Sequence, residues 1–444
     1  MTEERPCSFL EEPDPRRLLR AAADNHVAWF ARTARAAGGV VESEDDGEAG
    51  LTFAYIPGPE AEVVIPFPRL AEQDAGERLD SLLARLWRIE GLTQISCWAL
   101  LEPTTPPDLG VRLVARGFEQ GWQPHWMQLD LQALDADRPE SPGVRVELAD
   151  EAPPGHADDL PYHSPEAARR LGLMSHVRPT RVWRFVARLQ ENGRLVGQSV
   201  LNLTTGPLGV AGIFDVGVAP DAQRRGVGTA VTLAALRLAR ELGGRYALLN
   251  STEMGEPLYR RLGFESLGRG RTWWLHQDVL QRPPPDVLEI AFGEAVGRGD
   301  LPTLSALASD LPPEKLDAPL PCRLTPVQLA VQSDRPESVE LLVGLGATLD
   351  IVSAWDLGRR EEATDLLKAA PELANLRSGR WGATPLHIAA LRDDADLTRV
   401  LLAAELDLGL KDYEFHSTPL GWAQHMGRTE IAALIQERAG AADA

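Results

Sequence analysis

The sequence predicts two mixed α/β domains followed by an all-α solenoid of helical repeats. Three observations support this prediction: strand-like and helix-like runs alternate through the middle of the chain, two stretches of about twenty residues match each other, and a Thr-Pro motif recurs near the end. The chain has 444 residues, which suits about three domains. Two polar, proline-bearing segments are predicted to be linkers between domains. They give predicted domains over residues 1–140, 143–281 and 286–444.

Composition and charge argue against several classes of protein. The formal net charge of −20 is unfavourable for binding nucleic acid or an anionic membrane surface. The three cysteines form no CxxC pair, so we expect neither a disulfide framework nor a thiolate zinc site. No apolar run reaches the ~18 residues of a membrane span, and the first residues lack a signal-peptide pattern. We therefore expect a cytoplasmic protein without a metal. The scarcity of lysine relative to arginine is typical of GC-rich bacteria.

The middle domain alternates strands and helices in a definite order. Two β-rich runs flank Asn192-Gly193, which predicts a hairpin, and LGVAGIFDVGVAP predicts a third strand. A helix should begin near Arg224 and end at Gly243, with an apolar face made of Val227, Val231, Ala234 and Leu238. After it, YALLNST predicts a buried strand, EPLYRRLGF a short helix and RTWWLHQDVL a last strand.

The end of the first domain repeats the end of the second. Residues 112–131 can be laid on residues 257–280, and Phe118 then matches Phe264. Both stretches contain a short helix, the letters GFE and a strand with tryptophan. This match predicts a duplicated fold, and two unrelated helix–strand corners are the alternative.

The last domain contains sequence repeats. The segments LTPVQLAVQ, GATPLHIAALRD and HSTPLGWAQHMG share a Thr-Pro-x-x-x-Ala core, with threonines at 325, 384 and 418. The wider first interval has room for a shortened copy in IVSAWDLGRREEATDLLKAAPELA, and LEIAFGEAVGRGDLPTLSALAS is a further candidate. These segments resemble ankyrin repeats. The resemblance implies about 4–5 two-helix units, a structural role for His387 and a concave surface that binds another protein.

The stretch VAPDAQRRGVGTA, residues 218–230, combines glycines and arginines where a strand gives way to a helix. A glycine turn entering a helix presents free backbone N–H groups, and the helix dipole adds partial positive charge. Gly226 and Gly228 let a phosphate approach the backbone, and Arg224 and Arg225 add charge-assisted hydrogen bonds. The stretch therefore predicts a pyrophosphate site, with a purely structural turn as the alternative.

Gln223, Gly226 and Gly228, followed thirty residues later by LYRRLGFE, resemble the GNAT acyltransferase superfamily over about 183–276. The resemblance implies two GNAT-like mixed-sheet domains, the first degenerate, and acetyl-CoA as cosubstrate. Backbone amides would hold the pyrophosphate at Arg224, Arg225, Gly226, Val227, Gly228 and Thr229. The splayed preceding strand would pair with the pantetheine arm at Val216 and Val218.

The same resemblance assigns catalytic roles with two departures. Tyr259 matches the tyrosine that protonates the leaving thiolate, although its ring could simply pack in a corner. Gly212 stands where many members carry a glutamate base, and Thr252 stands where many carry an asparagine. Asp215 is the candidate base that remains, but strand alternation points it to the opposite face unless a bulge redirects it. A water relay is the alternative.

The acceptor is expected to be an amine, either a small molecule or a protein. The stretch from Glu147 to Glu166, before the hairpin, carries six acidic residues and no Lys or Arg, the acids being Glu147, Asp150, Glu151, Asp158, Asp159 and Glu166. Such a segment attracts a cation or simply faces solvent. In the first domain Leu113 replaces the tyrosine, so that domain would be non-catalytic and would shape the acceptor cleft. The predicted reaction is direct N-acetyl transfer, and an inactive acyl-CoA sensor or adaptor is the alternative.

Overall fold

The structure is a computed structural model that describes residues 8–45, 50–99, 104–135, 138, 141–149, 159–309 and 311–442. It divides into two compact units. The first consists of Met1–Leu109 and Gln120–Arg282, and the second of Gly110–Glu119 and Pro283–Ala444. The expectations for Asp150, Glu151 and Asp158 lie outside the described residues. Among the described residues, no helix is both long and apolar enough to span a membrane.

The strands form two mixed sheets. Their bounds are β1 (Val40–Asp45), β2 (Gly50–Tyr55), β3 (Ala61–Pro66), β4 (Leu92–Ala99), β5 (Glu119–Gln120), β6 (His125–Asp130), β7 (Val144–Leu148), β8 (Val182–Leu189), β9 (Leu195–Leu203), β10 (Ala211–Val218), β11 (Tyr246–Ser251), β12 (Glu265–Arg269) and β13 (Arg271–His276). The first sheet has the order β1-β2-β3-β4-β13-β5, and the second, read from its far edge, has the order β7-β8-β9-β10-β11-β6-β12.

Seven helices occur up to residue 282 among the described residues. They are α1 (Pro15–Ala36), α2 (Ala75–Leu86), α3 (Leu109–Ala115), α4 (Pro165–Ser175), α5 (Val227–Glu241), α6 (Glu256–Arg261) and α7 (Gln277–Leu280). Proline at the first turn and a side-chain cap fix the starts of α1 and α4, where Asp14 and Ser164 accept from backbone N–H groups.

The two sheets repeat one topology and exchange one strand. Apart from the extra edge strand β7, both have the same order, with one parallel pair at the centre (β3 with β4, β10 with β11). β13 pairs with β4 in the first sheet, whereas β6 inserts between β11 and β12 in the second. Phe118 and Phe264 are both buried at matching positions. The prediction of two related mixed-sheet domains is confirmed, while the exchange was not visible in the sequence.

Helices cover both faces of the second sheet. α5 buries Val227, Val231, Ala235 and Ala239 on one face, so the stripe advances by four residues, and the predicted Ala234 and Leu238 are only partly buried. α1 and α4 pack on the opposite face around the cluster of Trp29, Leu171, Met174, Val182 and Val200. Helix α1 thus covers a sheet built mainly from residues 144–269.

The second unit is helical after residue 283. Its helices are α8 (Val287–Arg298), α9 (Leu301–Ser309), α10 (Pro313–Leu316), α11 (Pro326–Gln332), α12 (Pro336–Gly344), α13 (Ile351–Asp356), α14 (Arg360–Ala369), α15 (Pro385–Arg392), α16 (Ala395–Leu402), α17 (Pro419–His425) and α18 (Thr429–Ala442). The shortened copy forms α13 and α14, and the first candidate copy forms α8 and α9. His387 is buried, contacts Thr384 and reaches the Ser417 carbonyl at 3.0 Å, which is a structural role.

Segment 110–119 contributes all of α3 except Leu109 to this helical unit. Arg116 is buried and donates to Glu294 at 2.6 Å. The small residues Gly293 and Gly297 of α8 face Ala115 and Val111, where an added Cβ would come within 3.2 and 2.7 Å of those side chains. α3 therefore packs directly against the first helix of the repeats.

Candidate functional site

The strands β10 and β11 open away from each other. They pair in parallel at only two residue pairs, the last being Gly212 with Leu248. On its other side, β10 stays paired with β9 as far as Val218. From Ile213 onward, the edge of β10 that faces β11 therefore has no strand partner within the described parts of the chain. Val216 and Val218, predicted to bind the pantetheine arm, lie on this open part of β10.

A β-bulge interrupts β10 at the middle of the opening. The register with β9 shifts between Phe214 and Gly217, and Asp215 has a left-handed backbone with φ +48°. Asp is one of the few side chains that tolerates this conformation. At Gly217, any Cβ would overlap the Pro161 carbonyl, so glycine is needed for the close approach of segment 159–163.

The loop of residues 224–229 follows β10 and leads into α5. No hydrogen bond joins its six backbone N–H groups to an acceptor among the described residues, and the first helical bond runs from Ala230 to the Gly226 carbonyl. Arg224 and Gly226 both have positive φ, +61° and +79°. The loop turns at these two residues immediately before the helix. Such unsatisfied N–H groups at the positive end of a helix dipole favour an anion.

Different contacts favour glycine at the two glycine positions of the loop. Gly226 combines its positive φ with close contact to Ser141, whose hydroxyl donates to the Gly226 carbonyl at 3.0 Å. A Cβ at Gly228 would stand 2.8 Å from Leu258 Cδ1, so this glycine lets α5 pack closely on α6. The prediction that Gly228 lets a phosphate approach the backbone stays a prediction beside this packing contact.

The side chains around the loop add positive charge. Arg224 and Arg225 are exposed, and the nearest carboxylate to Arg225 is that of Glu191 at 3.9 Å. Ion pairs between such exposed groups are weak. Gln223 precedes the two arginines in extended conformation and is also exposed. A polyanion could therefore recruit both guanidinium groups at little cost.

Tyr259 lies on α6, close to the start of α5. Its side chain is 7% exposed, and its ring meets that of Phe264 edge to face with the centroids 5.8 Å apart. Burial raises the pKa of the Tyr259 phenol above its usual value, and the nearby Tyr162 raises it further. The phenol is therefore protonated at neutral pH and has a proton to donate.

Asp215 lies on the sheet face covered by α1 and α4. Burial raises the pKa of Asp215 to about 6, while the guanidinium groups of Arg170 on α4 and Arg184 on β8 oppose the rise. Gly212 faces α1 on this same side. The bulge has redirected Asp215, as the sequence analysis required for any role as base.

The space beside Gly212, where the resemblance implies a glutamate, is filled by another part of the chain. A Cβ at Gly212 would overlap the side-chain oxygen of Asn25 on α1. The Asn25 amide is buried and donates to the carbonyls of Asn202 and Val210 and to the hydroxyl of Thr204, at 3.0 to 3.2 Å. A glutamate at 212 has no room beside this network.

His26, which the sequence analysis missed, lies beside the opening on α1. Its ring is enclosed by five aromatic rings with centroids 4.8 to 5.6 Å away, those of Phe30, Phe67, Trp98, Trp126 and Phe214. Asn250 of β11 donates to His26 Nε2 at 3.3 Å. Burial lowers the pKa of His26 to about 3, so the ring is neutral and accepts this hydrogen bond. Thr252, which stands where many family members carry an asparagine, accepts a hydrogen bond from the Gly255 N–H at the start of α6.

Other candidate groups lie elsewhere. Glu147 pairs with Arg188 at 2.9 Å, so this member of the acidic segment is already neutralised. A cavity of about 250 Å³ lies in the first half, between β1, β2 and the start of α2. The described residues contain no group of three His, Cys, Asp or Glu side chains suited to a metal.

Comparison with known proteins identifies the domain to which this part of the chain is similar. Residues 146–264, which include the open strand, the loop and Tyr259, match the Acetyltransferase (GNAT) family. The chain carries a GNAT acetyltransferase domain. Residues 381–413 match the ankyrin repeat. The expectation of an acyltransferase is confirmed at the level of the domain, as is that of an ankyrin-type region.

Several proteins resemble longer stretches. A mycothiol acetyltransferase of Thermobifida fusca (strain YX) is 27% identical over 45% of this chain and 58% of its own length. One of Arthrobacter sp. (strain FB24) is 25% identical over 57% of this chain and 74% of its own. The chain thus spans little more than half of the first relative. A solved tandem GNAT protein from the clavulanic acid biosynthesis pathway is 18% identical, with a TM-score of 0.42, over 60% of this chain and 98% of its own.

Proposed function

We propose that the protein transfers an acetyl group from acetyl-CoA to an amine acceptor by direct attack. The observation that carries the proposal is the loop of residues 224–229, with its unsatisfied N–H groups and exposed arginines, directly after a strand that separates from its parallel neighbour. The reaction class agrees with the activity for which the two curated relatives are named.

The cosubstrate would lie along this path. The pyrophosphate binds the backbone amides from Arg224 to Thr229, and the arginine side chains add charge-assisted hydrogen bonds. The pantetheine arm pairs with the free edge of β10 at Val216 and Val218. Backbone N–H groups at the bulge then polarise the thioester carbonyl, which stabilises the developing oxyanion.

The chemical step needs one proton acceptor and one proton donor. The amine nitrogen attacks the thioester carbon and its proton passes to Asp215, directly or through water. The carbon–sulfur bond breaks as the tetrahedral intermediate collapses, and the Tyr259 hydroxyl protonates the departing thiolate. Cys97 takes no part, because it is buried and burial raises the pKa of its thiol.

The first domain, residues 1–140, is a non-catalytic partner in this proposal. Its central strands β3 and β4 remain paired along their whole length, to Pro66 with Trp98, so they leave no opening like that between β10 and β11. The helix that corresponds to α5 is α2, and its start carries Asp74 and Glu77 in place of arginines. Leu113 replaces the proton donor. Helix α1 of this half nevertheless lines the transfer site through Asn25 and His26.

One observation favours the alternative of an inactive acyl-CoA sensor or adaptor. Asn25 fills the place of the missing glutamate, so the family's usual base has been replaced by a structural contact. Assaying the full chain for amine-dependent release of the CoA thiol separates the two functions. Turnover with any amine supports the enzyme, whereas tight acetyl-CoA binding without turnover supports the sensor.

The ankyrin region would bind a protein partner. Trp381, Tyr413 and Phe415 remain at least 39% exposed beside one another at the start of the last two repeats. Aromatic side chains of this kind are enriched in protein interfaces. Pull-down of a partner by the full chain, lost on Phe415→Ser with acetyl-CoA binding retained, would support this role.

A further inference from the structure

Arg184 on β8 is a buried cation whose hydrogen-bonding capacity is only partly used. Its side chain is 2% exposed. Nη2 donates to His163 Nδ1 at 2.8 Å and to Gln198 Oε1 at 2.7 Å. Nε and Nη1 are buried and have no hydrogen-bond partner among the described residues. Unsatisfied donors of a buried charged group are costly, which calls for an explanation.

No ion pair within 4.0 Å joins the charge of Arg184 to a carboxylate of the described residues. His163 and Gln198 both accept in their hydrogen bonds with the guanidinium, and Asp215 interacts with it only electrostatically. Burial lowers the pKa of Arg184 to about 10, so the group remains charged at neutral pH. Burying this charge is costly when its donors are unfilled, and an anion bound to the guanidinium would offset that cost in addition to Asp215.

Arg184 lies beside the bulge where the acetyl group is expected. Gln198, its hydrogen-bond partner, is opposite Gly217 at the end of the bulge. Asp215 within the bulge interacts electrostatically with Arg184 and with Arg170 of α4. These three groups carry two positive charges and one negative charge. One further negative charge would balance them.

We propose that the amine acceptor carries a carboxylate close to its amine, as an amino acid does. This inference rests on the proposed acetyl transfer. The carboxylate accepts from Nε or Nη1 of Arg184, and the amine lies towards Asp215, which takes its proton. Arg184 is thus a specificity-determining residue. A neutral amine or an amide would leave the buried donors unfilled and would be a poorer acceptor.

The alternative role of Arg184 is purely structural. Gln198 also donates to the Tyr162 carbonyl at 3.0 Å, so Arg184, His163 and Gln198 connect segment 159–163 to the sheet. A structural role predicts no preference for carboxylates. It also predicts that changes at Arg184 affect all acceptors equally.

The test measures acceptor preference in the full chain. CoA release is followed with L-amino acids and with their matching amides, which differ only at the carboxylate. We expect kcat/KM for the best acid to exceed that of its amide by at least about tenfold, which corresponds to about 1.4 kcal/mol. In Arg184→Gln this ratio should fall to about one.

A second variant tests the charge of Arg184 without removing its side chain. Gln198→Glu places a carboxylate at the atom 2.7 Å from Nη2, so Arg184 gains an internal counter-ion, while the hydrogen bond to the Tyr162 carbonyl is lost. The acid-to-amide ratio should fall in this variant as well. Acetyl-CoA titrations show whether each variant retains its cosubstrate site.

The outcomes separate the inference from the proposed function. The inference would be overturned if the unmodified chain used acids and amides equally, or if it acetylated only amines without a carboxylate. It would also be overturned if the chain bound acetyl-CoA but turned over no member of the panel. A ratio that stays high in both variants would overturn the role of Arg184. Absence of acetyl-CoA binding by the unmodified chain would instead remove the proposed function, and the inference with it.

Discussion

The side-chain oxygen of Asn25 lies in the space that a side chain at position 212 would need. Asn25 and Asn202 also bond each other in both directions, which locks α1 onto β9 and β10. The first helix of the chain is therefore part of the wall of the transfer site. Position 212 is restricted to glycine by this contact.

Gly212→Ala is expected to destabilise the fold by about 1–3 kcal/mol, because the added methyl group must displace a buried, hydrogen-bonded amide. Denaturant unfolding measures the change. Gly58→Ala is the matched control, since nothing lies within 4 Å of a Cβ there. Equal unfolding free energies for the two variants would show that the contact with Asn25 is not tight.

Asp215 predicts a pH-dependent stability. The pKa of Asp215 is raised from 3.8 to about 6 in the folded state, so ionisation of this carboxyl costs folding free energy. The cost is absent below about pH 4 and complete above about pH 6. Asp215→Asn should therefore raise the melting temperature at pH 7.5 and change it little at pH 4.

The same residue predicts a pH-dependent rate. If Asp215 accepts the amine proton, kcat/KM should rise as the pH passes about 6, and Asp215→Asn should lower the rate and abolish that limb of the profile. Steady-state rates between pH 5 and pH 8 provide the measurement. A limb that persists in the variant would assign the proton to water or to another group.

His26 predicts the opposite pH trend in stability. Its pKa is lowered from 6.5 to about 3 in the folded state. Between these two pH values the imidazole is therefore protonated in the unfolded chain and neutral in the folded chain. This residue should cost about 1.4 kcal/mol of stability for each pH unit below 6.5. His26→Phe removes the hydrogen bond from Asn250 at every pH. It should make the unfolding free energy less dependent on pH between 6.5 and 5, and an unchanged slope would contradict the burial of a neutral His26.

Tyr259→Phe separates chemistry from binding. Loss of the hydroxyl should lower kcat by about 100-fold, in the range of general acid catalysis, and leave acetyl-CoA affinity unchanged. Phe264→Leu, which alters the ring that packs on Tyr259, is the control for disturbed packing. A full rate in Tyr259→Phe would exclude the tyrosine as the proton donor.

Local sequence patterns predicted the parts of the site that are local in the chain. The glycines and arginines from 224 to 228 adjoin one another, so their turn and helix start could be anticipated, as could the fold class. Contacts between distant residues could not be predicted. Asn25 meets Gly212, and His26 meets Asn250 more than 200 positions away. No periodicity in α1 distinguishes these two residues from ordinary helix positions.

The strand exchange was hidden for the same reason. The sequences of β6 and β13 each have the pattern of a strand at the end of its own domain. Neither pattern indicates which of the two sheets the strand joins. The sequence indicated a bulge at Asp215 only as a requirement for Asp215 to act as the base. Strand alternation alone would place its side chain on the opposite face of the sheet from position 212. Position 228 also has a contact that the motif does not show, since a Cβ there would approach Leu258 of α6.

Isothermal titration of acetyl-CoA into the full chain tests the central claim most directly. We expect micromolar affinity, one site per chain, and at least about tenfold weaker binding in Arg224→Glu, because a carboxylate then faces the phosphates. Lys368→Glu makes the same charge change on exposed α14 and should bind like the unmodified chain. No binding to the unmodified chain, or equal affinity in Arg224→Glu, would contradict a cosubstrate site at this loop.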